Sequence, residues 1–272
     1  MIDIIPKHRR QTISQAIRKA YQDADMDLEK LKPGIVPLYD LILSYPIRVD
    51  EIQDMTAQKL TEYLKNKTGQ AISVAEDRDC QLAGYLYLHE YQGLLRGFIL
   101  TEKRPSAAPI FRRRFSAAHE LGHYLLHFLP LLEEKKKSQF IEPLIFAEKY
   151  YQSDRKENQK ESEDSENEYL SGELSFSDDL QPILDNLGID RDLMEAEADC
   201  FAGELLIPEK ACYELAKRYQ GRFGKKLDVL VGRLAPEFLV SQQAMKRRLV
   251  DLNIIENLPN LGAVREQPLQ KR

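Results

Sequence analysis

Three of the chain's five histidines fall within FSAAHELGHYLLH, residues 115–127, at positions 119, 123 and 127. The stretch His119-Glu120-Leu121-Gly122-His123 has a spacing with chemical content. Four residues advance a helix by about 400°, so two imidazoles four apart lie within about 40° of each other, one turn apart. Side chains so placed can share one metal ion. Glu120 is turned about 100° from His119. It can stand beside the metal without ligating it and take a proton from a water that the metal activates. The bland alternative is two histidines on an ordinary packing helix. Against it, Phe115, Ala118, Leu121, Leu125 and Leu126 surround the motif with apolar surface suited to a dry site. Ala117, Ala118 and Gly122 are small enough to let neighbouring backbone approach, Gly122 at about 1 kcal/mol of helix propensity.

A catalytic zinc needs a third protein ligand and an open fourth position. The second acidic cluster is MEAEADCFA, residues 194–202. Glu195 and Asp199 are four apart on an expected helix and point the same way. Glu195 is expected to bind the metal, with Asp199 accepting the outward N–H of a metal-bound imidazole and so fixing its tautomer. Glu197, about 200° from Glu195, is expected to face solvent or another partner. His127 is drifted by about 80° from His119 and is expected to be a partly exposed histidine rather than a ligand.

Two helices must therefore be brought together. The first, from about Ile110 to Phe128, is closed by Pro130. The second runs over 192–206. Ahead of them, Ile13, Ile17 and Tyr21 mark an amphipathic helix over 9–24. Further helices are expected at Leu38–Ser44 and Thr56–Lys67, the latter ended by Thr68-Gly69. YPIRVDEI reads as a short strand. AISVAE, LAGYLYLHEY and LLRGFIL are rich in β-formers and predict a small antiparallel sheet preceding the metal helix, with Tyr85, Tyr87 and His89 on one face. Those three and Tyr124 are candidate oxyanion stabilisers, and the sheet edge is a candidate seat for an extended substrate. DRKENQKESEDSENE (154–168) has no apolar residue and reads as part of a charged, mobile insertion over 131–190. Helical patterning returns at 209–218, 227–234 and 240–252. The fold class is α+β and mainly helical. Its expected parts are an N-terminal helix (1–29), a core (30–225), a helix-turn-helix-like segment (226–257) and a frayed tail (258–272).

At 272 residues with 43% hydrophobic content the chain can bury a sizeable core. A net charge of −5 argues against a general nucleic-acid binder. No signal-peptide or membrane-spanning run is present. Cys80, Cys200 and Cys212 are odd in number and lack a C-x-x-C pair, so a disulfide framework is not expected and a reducing cytoplasm is.

RRRFSAAHELGHYLLH followed by EAEADCFAGELLIP resembles the paired signature of the ImmA/IrrE metallopeptidases. The second half matches at Glu195, Ala198, Asp199, Phe201, Ala202, Leu205, Leu206 and Pro208. LAPEFLVSQQAMKRRLVDLNII (234–255) resembles the helix-turn-helix-like segment that follows that family's catalytic core. The resemblance implies a zincin-like fold and a gluzincin-type zinc site of His119, His123 and Glu195, with Glu120 as catalytic carboxylate. It implies endopeptidase action on a protein substrate, typically a helix-turn-helix transcriptional repressor of phage, mobile-element or stress-response regulation. The spacer before Glu195 is longer than the family's usual one. Two rival readings stand beside it: a DNA-binding regulator using Lys246, Arg247 and Arg248, and a zinc-bearing protein that binds the repressor without cutting it.

Overall fold

A computed structural model describes residues 5–30, 33–69, 81–91, 94–103, 109–131, 145–151, 190–223 and 226–254. Helix α1 (Lys7–Asp23) buries Ile13, Ile17, Ala20 and Tyr21 along one stripe, as their helical spacing requires. Helix α2 (Leu38–Leu43) leads into strand β1 (Ile47–Ile52). Helix α3 (Ala57–Thr68) starts at Thr56, whose hydroxyl accepts from the Lys59 N–H at 3.3 Å, and stops at Gly69 with φ 73°.

Strands β2 (Leu82–Tyr91) and β3 (Leu94–Glu102) form an antiparallel hairpin. The sheet as a whole is mixed, which corrects the antiparallel expectation: its order is β1-β3-β2-β4, and β1 lies parallel to β3. Parallel neighbours need a crossover connection, and α3 with β2 supplies it. Strand β4 (Ile145–Tyr151) pairs antiparallel with β2 and comes from within the 131–190 segment read as a mobile insertion. It covers the β2 edge, so the edges of the sheet are β1 and β4. AISVAE, Cys80 and the charged run 154–168 lie outside the described residues.

Alternation along β2 divides the core. Leu86 and Leu88 face the cluster that holds Ala117, Ala118 and Leu121, whereas Tyr85 and Tyr87 pack with Leu60 and Leu64 of α3. Helix α4 (Ile110–His123) runs directly into a π-helical turn, Tyr124–Phe128, and helical structure continues past Pro130 to residue 131. Helix α5 (Arg191–Leu206) lies against α4. Their closeness depends on Gly122: a Cβ there would lie 3.1 Å from the Phe201 ring and 3.2 Å from Ala198 Cα.

Helices α6 (Glu209–Phe223), α7 (Leu227–Phe238) and α8 (Gln242–Asp251) are the last elements among the described residues. The turn between α7 and α8 has Leu239 at φ 53° and Ser241 capping α8. One apolar cluster runs from Ile5 to Leu252, so segments 1–29 and 226–257 share a core with 30–225. Among the described residues no helix is long and apolar enough to cross a membrane.

Candidate metal centre

His119 and His123 sit on the face of α4 turned toward α5, and both are buried. Their Nε2 atoms are 2.9 Å apart. Glu195 reaches across from α5, with Oε2 3.3 Å from His119 Nε2 and Oε1 3.2 Å from His123 Nε2. One donor atom from each of the three residues falls within 4.8 Å of the others. Asp199, one turn further along α5, places Oδ1 3.0 Å from His119 Nδ1. The structure thus brings together the three expected ligands and Asp199.

The donor set suits a divalent cation. Tetrahedral zinc at ordinary bond lengths separates its donor atoms by about 3.3 Å, a spacing within reach of two imidazole nitrogens and one Glu195 oxygen that lie within 4.8 Å of one another. Among the described residues Glu195 Oε1 is buried with no partner beyond its 3.2 Å approach to His123 Nε2. Burial would raise the Glu195 carboxyl, but the two imidazoles outweigh it and hold the group well below the usual carboxylate range. Burial works against a charged His119, yet Glu195 and Asp199 outweigh it and lift this imidazole well above the ordinary histidine value. Lone pairs and negative charge gathered in this way favour an added cation.

Glu120 is fully buried and points toward the sheet. A Cβ on Gly84 of β2 would lie 2.8 Å from its Oε1, so the missing side chain at 84 makes room for this carboxylate. Glu120 therefore occupies the space between α4 and β2, about a quarter turn from the ligand face.

One expectation is corrected: His127 is only 4% exposed and so is not a partly exposed histidine. Glu197, only 1% exposed, faces partners rather than solvent, the second of the two outcomes expected for it. The π-helical turn explains the burial of His127. It closes over five residues instead of four, which lowers the rotation per residue and swings position 127 back behind His123. His127 Nδ1 lies 3.0 Å from His123 Nδ1, and His127 Nε2 lies 3.0 Å from Glu197 Oε2. Arg9 of α1 completes the row, donating through Nε to Glu197 Oε1 at 2.5 Å and through Nη2 to Oε2. The third histidine and the alternation of acids in EAEAD were visible signals for two of these residues; nothing in the sequence singled out Arg9.

The oxyanion candidates do not reach the site. Tyr85 and Tyr87 pack on the α3 side of the sheet, and His89 lies beside Tyr87 at a ring separation of 5.7 Å. Tyr124 packs edge-on against Tyr45 in the core. Arg248 is also committed elsewhere: it is buried, donating to the Ile207 carbonyl at 3.1 Å and to Glu204 at 3.3 Å. No family model matches the chain, and no curated protein matches it significantly.

Proposed function

We propose that this chain is a zinc-dependent endopeptidase of the ImmA/IrrE kind, which cuts a helix-turn-helix transcriptional repressor at one site in phage, mobile-element or stress-response regulation, in the cytoplasm. The observation that carries the reading is the convergence of His119, His123 and Glu195 from two helices, with 72 positions between His123 and Glu195, and a buried Glu120 next to His119 in the chain. Zinc bound by those three residues would supply Lewis acidity toward a water and the scissile carbonyl. Asp199 accepts the Nδ1–H of His119 and fixes its Nε2 as the ligating nitrogen. Glu120, in the space left by Gly84, removes a proton from the attacking water and returns it to the leaving amine. The substrate class rests on the sequence resemblance alone.

The DNA-binding reading loses ground because Arg248, one of its three basic residues, is buried and paired within the core. The non-cleaving reading gives no reason for Gly84 to leave room for Glu120. The test is to incubate the zinc-loaded protein and its E120Q variant with a proteome-derived peptide library, and to co-express each with helix-turn-helix repressors. Cleavage by the first, none by the second, and one zinc in each is expected. Equal cleavage, or no stoichiometric metal in the wild type, overturns the proposal.

A further inference from the structure

The two imidazoles are backed in different ways. His119 meets a carboxylate directly, through Asp199. His123 meets another histidine, and the carboxylate comes one residue later. We infer that His127, Glu197 and Arg9 form a positioning arm for His123, which makes the N-terminal helix α1 a working part of the metal centre. The inference rests on the metal reading proposed above.

Proton placement along the arm is forced by its ends. If Nε2 of His123 is kept for the metal, its Nδ1 carries hydrogen and must donate. His127 Nδ1 is the atom it faces, at 3.0 Å, and therefore accepts. A neutral His127 that accepts at Nδ1 carries its hydrogen on Nε2, and that atom faces Glu197 Oε2 at 3.0 Å. Glu197 must then be an acceptor at both oxygens, which the paired donation from Arg9 secures. Each link sets the next, from a half-exposed guanidinium on α1 to the back of a buried ligand.

Geometry supports a positioning role over plain packing. Burying a carboxylate with unmet lone pairs is costly, and Glu197 meets both needs with two partners from two different elements. The α-helix is also interrupted at the turn that delivers His127 to His123, and π turns are a recurrent device at functional sites.

The test is metal affinity, read without substrate. Zinc binding by the wild type, R9M, E197Q, H127L and H127Q is measured by competition with a chromophoric chelator, and the visible spectrum of each cobalt-loaded protein is recorded. Groups that orient metal-bound histidines typically matter about 10- to 100-fold in affinity. H127L and E197Q should each lose about 10-fold or more and shift the cobalt bands. H127Q, which keeps an acceptor facing His123, should recover part of the loss, and R9M, whose side chain is 32% exposed, should fold normally and lose several-fold. Wild-type affinity and spectrum in both E197Q and R9M, or equal losses in H127L and H127Q, would overturn the arm. A wild type that binds neither metal would instead refute the metal reading, so the two failures are distinct.

Discussion

Replacing Gly84 by alanine presses on the proposed catalytic carboxylate without touching a ligand. The new Cβ would stand 2.8 Å from Glu120 Oε1, where ordinary contact begins at 3.4 Å, so the carboxylate must move by about 0.6 Å. Misplacing a reacting group by about 1 Å costs about 100-fold in rate, which scales to about 10- to 20-fold here. The chain should survive the change, because the clashing atom is the far end of a side chain. The G97A variant is the contrast: its Cβ would lie 2.0 Å from the Tyr87 carbonyl oxygen, in backbone that cannot yield. The assay is turnover on a cleaved library peptide, with zinc content by elemental analysis and melting temperature alongside. G84A should keep its zinc and its fold and lose turnover, whereas G97A should lose the fold. Undiminished turnover in G84A would refute the placement of Glu120 as the working base, and loss of zinc would show that Gly84 supports the ligands instead.

Other outcomes follow from neighbouring contacts. D199N should weaken zinc about 10- to 100-fold in chelator competition, since His119 loses its charged acceptor; unchanged affinity would sever Asp199 from the centre. Burial pushes the Cys212 thiol up to about 11 from 9.0. Stability from this raised group is full below pH 9 and is lost as pH climbs through 11, by about 2–3 kcal/mol. Urea titrations at pH 8 and 10.5 should show about 2 kcal/mol of that loss in the wild type relative to C212A, and parallel curves would contradict it. R248M should lower stability by about 2 kcal/mol, because the Ile207 carbonyl and Glu204 both lose a charged donor, and should leave any DNA affinity unchanged at low salt.

The centre was legible in sequence because helical spacing is rigid. His119 and His123 had to share a face, and so did Glu195 and Asp199, leaving only whether the two faces meet. Helix bounds were recovered wherever a cap was explicit, as at Thr56 and Gly69. What escaped is what spacing does not encode. The π-helical turn breaks the constant rotation from which His127 was judged partly exposed. Spacing left Glu197 facing either solvent or a partner, and could not name Arg9, which lies 188 positions away. The parallel register of β1 with β3 depends on the α3 crossover, which strand composition does not report.

The close packing at Gly122 sets α4 against α5 across the whole stretch of chain between them. An ion gripping His123 and Glu195 would act as a clasp on that long loop, and clasps of this kind weigh mostly on the unfolded chain, by about 4 kcal/mol for a comparable covalent cross-link. Ion supply would then govern how many intact copies a cell retains, since copies without the ion would unravel and be degraded first.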